Sequence, residues 1–262
     1  AINSGGGNIV MRGRSGVANA EADGFGSQRA LVIDSGSGTI EIIGDQNSSS
    51  GGVGLRLGGF NYYPDIAMTS ASTASPAVRI TGSSVNKAGI LLGEGSSTYA
   101  SPAGTVLIQS SATTGGGITI EGSSAQATSN FDHRGIALWG DESGYNIPNT
   151  YQFLSNNGGI EFLSLIDSAS SEIAIYSDTY LGQRKDSTQV QGVTPILGSS
   201  NIQTIFRSDS WVQFSDSVVG SGSIEIYPFT SGQTVGINSS GDFEVWYPNN
   251  LTSTFSSVTI GD

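Results

Sequence analysis

A phrase of three residues, apolar–any–apolar, recurs 17 times along a chain of 262 residues. It runs from Ile9/Met11, Leu31/Ile33 and Ile40/Ile42, through Val53/Leu55, Ile66/Met68, Val78/Ile80, Ile90/Leu92, Val106/Ile108, Ile118/Ile120 and Ile136/Leu138. It continues with Ile160/Phe162, Ile173/Ile175, Val212/Phe214, Ile224/Ile226, Val235/Ile237, Phe243/Val245 and Val258/Ile260. A period of two puts both apolar side chains on one face of an extended strand and turns the middle residue the other way. The middle residues include Glu41, Arg79, Thr119, Ala137, Glu161, Glu225 and Glu244, which suit a solvated outer face. No stretch of helical period competes, and 38 glycines among abundant Ser and Thr oppose helix.

Spacing carries the next inference. Between residues 40 and 120 the phrases start at 40, 53, 66, 78, 90, 106 and 118, so most steps are 12 or 13 residues. Two steps make about 25 residues, a common length for one solenoid coil. The linkers, such as GDQNSSSGG and QSSATTGGG, are rich in residues that form tight turns. A β-sandwich also has short, evenly spaced strands, but 17 phrases are too many for one. The phrase also keeps a local form, with Gly or Ala just ahead of the apolar pair, as in GTIEI, AVRI, GILL, GITI, GIAL and GIEF. Stacked coils explain this, because each strand faces nearly the same surroundings as its copy on the next coil. The expected fold is all-β: a parallel β-helix (β-solenoid) of about 25-residue coils with short loop insertions. Ten or so coils at about 4.8 Å each would form a rod on the order of 50 Å.

The rhythm divides the chain without splitting it into domains. One elongated solenoid over residues 1–262 is expected, with regular coils over 1–140 and coils with loop insertions over 141–201. Less regular, aromatic-rich coils or a cap follow over 202–262. The segments 141–158 and 179–201 break the spacing and are the expected binding loops.

The phrases GTIEIIGDQNSSSGGVGLRL and GTVLIQSSATTGGGITIEGSS resemble the repeats of filamentous-haemagglutinin-type exoproteins. The resemblance covers roughly residues 5–140 well and the rest loosely. Those proteins are giant bacterial surface adhesins exported by two-partner secretion, with right-handed parallel β-helical shafts. The resemblance therefore implies a right-handed shaft segment of a secreted surface fibre. The family's secretion-domain signature is not visible in this chain.

Composition narrows the partners. Lys and Arg total 10 against 22 Asp and Glu, with no basic run. Nucleic acid and anionic membranes are disfavoured, since both select clustered cations. No apolar run approaches the roughly 20 residues of a membrane-spanning helix. The chain starts AINSGGGNIVMRG, without Met and in mid-pattern, as expected of a mature or proteolysed fragment or the ordered part of something larger. It contains no Cys, which leaves the compartment open.

Chemistry-bearing residues are few. The one histidine, His133, lies between Asp132 and Arg134, but sequence neighbours on an extended segment point apart, so Asp132 would not orient it. A polar loop residue ahead of the 136–138 strand is the plainer reading. A glycan-cleaving β-helix would need paired carboxylates, for which Asp132, Asp141 and Glu142 beside Arg134 are the candidates. Asp34, Asp45, Asp209 and Asp216 sit at turn-like places and read as turn formers rather than calcium ligands. The Asn-x-Ser/Thr triplets at Asn47, Asn238 and Asn250 read as turns unless a glycosylating host makes the protein. GGGNIVMRG lacks the Lys and the strand–loop–helix context of a phosphate loop. No catalytic residue, cofactor or metal is expected. The expected function is structural and adhesive: a non-enzymatic fibre segment that stacks end to end with other copies or flanking repeats and meets surface glycans or neighbouring cells. The alternative is a carbohydrate-active β-helix, either a polysaccharide lyase or a phage tailspike-like depolymerase.

Overall fold

The computed structural model describes residues 1–19, 22–27, 30–58, 66–93, 105–125, 134–138, 150–165, 172–175, 178–182, 202–214, 218–246 and 255–261. Within them the chain forms 23 strands and no helix. Every strand pair is parallel, and the strands fall into three sheets of seven, eight and eight. Sheet A contains β1 (Ile2–Asn3), β4 (Leu31–Asp34), β7 (Ile66–Ser70), β10 (Thr105–Ser110), β13 (Thr150–Ser155), β16 (Asp178–Gly182) and β19 (Val218–Gly220). Sheet B contains β2 (Ile9–Ser15), β5 (Ile40–Gln46), β8 (Val78–Ser84), β11 (Ile118–Ser124), β14 (Ile160–Ser164), β17 (Gln203–Arg207), β20 (Ser223–Tyr227) and β23 (Ser257–Ile260). Sheet C runs in space from β3 (Phe25–Ser27) through β6 (Leu55–Leu57), β9 (Ile90–Leu92), β12 (Ile136–Leu138), β15 (Glu172–Ile175) and β18 (Trp211–Phe214) to β22 (Phe243–Trp246) and β21 (Val235–Ile237).

Strands next to each other in a sheet are three apart in sequence for most of the length, which is the signature of a three-sided parallel β-helix. The all-β solenoid expectation therefore holds, but its coil length does not. Ile9 pairs with Ile40, 31 residues on, Val78 with Ile118, 40 on, and Ile118 with Ile160, 42 on. The step of 12 or 13 residues measures one side of the coil, and three sides close it. Strand spacing alone does not say how many sides close a coil, which is why two steps looked sufficient. The rod is also shorter than expected. Eight rungs leave seven spacings of about 4.8 Å, or about 34 Å.

The apolar phrases fill the interior as columns. In sheet B, Ile9, Ile40, Val78, Ile118 and Ile160 lie in register, with Met11, Ile42, Ile80, Ile120 and Phe162 beside them. In sheet C, Leu55, Ile90, Ile136, Ile173 and Val212 form the matching column. Fully burying each such side chain contributes about 1.5–3 kcal/mol. Toward the C-terminal half the core turns aromatic. Phe153, Phe162, Phe206 and Phe214 touch in series at centroid distances of 4.9, 4.8 and 5.1 Å. The pair Val53/Leu55 is shifted: the strand is Leu55–Leu57, and Val53 packs instead with Ala88, Leu91 and Ala137 in a second apolar cluster.

The corners are set by small residues. Where sheet A turns into sheet B, Ser35, Ser70, Ser110 and Ser155 stack as buried hydroxyls. Ser35 and Ser155 donate to the carbonyls of Gly38 and Gly158 at 2.6 Å, and Ser110 accepts from the Gly117 N–H at 3.1 Å. Where sheet B turns into sheet C, Gly13, Gly44, Gly82 and Gly122 stack in register. A Cβ on any of these four would lie 2.1 or 2.2 Å from the carbonyl oxygen of Gly24, Gly54, Gly89 or Gly135, respectively. Two backbones cross there with no room for a side chain.

The segment 141–158 holds β13, and the segment 179–201 opens on β16, so neither is an insertion throughout. The last turns also depart from simple winding. The chain leaves β20 for β21 on the outermost rung of sheet C, and then folds back to β22, which lies between β21 and β18.

Candidate functional surface: the two ends of the rod

The acid–base candidates Asp132, His133, Asp141 and Glu142 lie outside the described residues, as do Asp216 and Asn250. Arg134 is described and is nearly fully buried, its guanidinium 5.2 Å from the centre of the Trp211 ring. It packs into the corner of sheet C rather than facing solvent.

The turn-like aspartates organise the chain. Asp34 Oδ1 accepts from the Gly36 N–H at 2.9 Å, and Asp45 Oδ1 accepts from the Ser83 hydroxyl at 2.7 Å on the next rung. Asp209 holds the 229–230 turn, accepting from the N–H groups of Phe229 and Thr230 at 2.7 and 2.8 Å and from the Thr230 hydroxyl at 2.8 Å. Asn47 accepts from Arg14 Nε at 2.9 Å with its amide turned oxygen-first. Asn238 takes a left-handed turn at φ 49°. Among the described residues, no group of three or more His, Asp or Glu is placed to hold a metal ion.

The outer face of sheet B presents side chains that tie one rung to the next along the rod. Arg12 meets Glu41 at 3.6 Å, and Arg79 meets Glu121 at 3.2 Å. The Thr119 hydroxyl meets Glu161 at 3.2 Å, and Gln203 donates to Glu225 at 2.6 Å. Each pair is solvent-screened and contributes little alone, but all four run in the axial direction. One tie is enclosed: Arg56 Nε donates to Asp23 Oδ2 at 2.7 Å, with both side chains about a tenth exposed.

The ends differ from the sides. Among the described residues, the exposed large apolar side chains are Ile2, Val10, Val17, Val32, Val235, Ile237, Trp246 and Val258, of which Val10, Val32 and Trp246 hold outward positions of their strands near the two ends. Several of these are core residues by register. Val258 continues the column of Ile224, and Ile237 continues that of Val245. Ile224 and Val245 are fully buried, whereas Val258 is 44 % and Ile237 46 % exposed. At the opposite end Ile2 continues the column of buried Ile33 and is 39 % exposed. Among the described residues, β1, β2 and β3 at one end and β19, β23 and β21 at the other pair on one side only. Such edges offer unpaired N–H and C=O groups to another strand. The sequence contained these residues as ordinary core phrases. What it lacked was the rung number, which alone separates a buried Val from an exposed one in the same column.

No family model, characterised protein or solved structure matches the chain.

Proposed function

We propose that this chain is a non-enzymatic shaft segment of a secreted bacterial surface fibre, serving adhesion or aggregation. The observation that carries the reading is axial continuity. Three parallel sheets share one core, and the tie pairs on the side of sheet B each span neighbouring rungs. Backbone hydrogen bonds in such a stack lie along the rod, so a pull on the ends loads them in series. The outward residues offer a repetitive polar surface suited to weak, multiple contacts, whose avidity grows with the number engaged. The likeness of the repeats over residues 5–140 to filamentous-haemagglutinin-type exoproteins supports the same role.

The test is display of the chain on a non-aggregating bacterium, scored for settling and for attachment to glycan-coated surfaces. Aggregation or attachment above that of undecorated cells is the expected result. Release of unsaturated or reducing sugars from acidic polysaccharides by the purified chain would overturn the reading in favour of a depolymerase.

A further inference from the structure

We infer that the place beside β18 in sheet C has two alternative occupants within this one chain, β21 and β22, and that the contact between Thr234 and Asp242 holds β22 there. The inference concerns how residues 235–246 pack and goes beyond the fibre role, on which it does not rest. Every other pair of neighbouring strands in the three sheets is three apart in chain order, β20 and β23 included. That winding allots β21 to β18 and would carry β22 on to sheet A, above β19. Instead β22 lies on β18, and β21 lies on β22. Yet β21 fits the inner place. It carries Val235 and Ile237 at the spacing of Leu55/Leu57, Ile90/Leu92 and Ile136/Leu138, the inward pairs of sheet C. Set in phase on β18, Val235 would follow Val212, Gly236 would follow Gln213, and Ile237 would follow Phe214. Its approach is also long enough: residues 228–234 lead from β20 to β21, as many as the residues 165–171 that lead from β14 to β15.

The observed arrangement asks more of the backbone. β21 and β22 are parallel, yet only residues 238–242 join them. A parallel crossover usually takes about a dozen residues or more. The short return lies against Gly236, where a Cβ would overlap the Ser239 carbonyl oxygen and lie 2.8 Å from that of Ser240. A clasp closes it. The Thr234 N–H and hydroxyl donate to Asp242 Oδ2 at 3.0 and 2.7 Å, and the Asp242 N–H donates to the Thr234 hydroxyl at 3.1 Å. In exchange β22 buries Phe243 and Val245 completely, and the Glu244 N–H reaches the Ser210 carbonyl at 2.9 Å. On β18, position 236 would instead point outward beside Gln213. The outward column there already carries the side chains of Arg56, Leu91, Ala137 and Ala174. A side chain at 236 therefore penalises the β22 arrangement alone. Two packings that extend one column with different strands make a two-state element.

The chain contains no cysteine, so engineered cysteine pairs report the occupant directly. Opposite residues on neighbouring strands lie about 4.8 Å apart and can form a disulfide, whereas residues two strands apart, at about 9.6 Å, cannot. Gln213→Cys with Trp246→Cys are opposite each other when β22 lies on β18, and in dilute solution this pair is expected to cross-link under mild oxidation. Adding Gly236→Ala and Asp242→Ala should slow that cross-link about tenfold or more, because the first crowds the short return and the second opens its clasp. Gln213→Cys with Gly236→Cys, in a chain that also carries Asp242→Ala, should then cross-link, since these positions meet only when β21 lies on β18. A 213–246 cross-link that forms as fast after the added changes would overturn the inference. So would its loss without a 213–236 cross-link, because that outcome is a frayed edge and not an exchange of strands.

Discussion

At the scale of single residues, the corner between sheets B and C is the least forgiving place in the chain. Gly82 faces the Gly89 carbonyl oxygen, and an added Cβ would sit 2.2 Å from it. That neighbour is backbone, tied into the next strand by the hydrogen bond from Ile90 N to Gly135 O and by the Leu55 N–H, which the Gly89 carbonyl itself accepts at 2.8 Å. Gly82→Ala is therefore expected to cost about 2–3 kcal/mol in denaturant unfolding. Gly16→Ala, with nothing within 4 Å of its Cβ, should stay within about 0.5 kcal/mol. Equal effects would refute the corner argument. Asp242 supplies a second test at this scale. The Thr234 N–H and then the Thr234 hydroxyl hold its carboxyl below the ordinary value of 3.8. A folded value below the unfolded one means that the stabilisation is complete above the unfolded value and is lost as pH falls through the folded one. The back-turn between β21 and β22 should thus keep this contact through mildly acidic conditions and release it only below the usual carboxylate range. An NMR titration of Asp242 should show a midpoint under 3.8, moving upward in Thr234→Ala.

At the scale of elements, what was legible depended on whether a strand's inward residues are apolar. Ile40/Ile42, Val78/Ile80 and Ile118/Ile120 mark their strands because each carries two aliphatic residues of one face. β17 escapes because its inward pair is Thr204 and Phe206, in register with Ile160 and Phe162 below and Ile224 and Ile226 above. β3 escapes for a similar reason, since Phe25 is followed by Ser27. The number of sides per coil was legible neither in the spacing nor in the glycines alone. The form apolar–x–apolar–x–Gly marks each of the first four strands of sheet B, at Gly13, Gly44, Gly82 and Gly122, where the corner brings backbones into contact, but it also occurs in sheet C at Leu55/Leu57/Gly59 and Ile136/Leu138/Gly140 and so does not count the sides. In β14 the same position is Ser164, which crowds Gly135, so the glycine column stops there and the regular reading of the sequence weakens soon after. Thr204 also gives the prediction that belongs to this scale. It is fully buried between isoleucines of its column, and its hydroxyl has no hydrogen-bond partner. Thr204→Val keeps the shape and removes the stranded hydroxyl, so it should stabilise the chain by about 1 kcal/mol. A loss of stability in urea titration would show that the hydroxyl is satisfied in solution.

At the scale of the whole molecule, each rung touches mainly the rung before and the rung after, so stability approximates a sum of rung and neighbour terms. An interior rung has two neighbours and a terminal rung one, and the terminal rungs here also carry the exposed apolar residues Ile2, Ile237 and Val258. Opening should therefore cost least at the ends and most in the middle. Amide hydrogen exchange reads this directly. Amides of β8 and β11, whose partners lie on both sides, should exchange last, and those of β2, β21 and β23 first. Protection that is uniform along the rod would mean that the rungs open together, and that the contacts between neighbouring rungs outweigh the differences between end and middle.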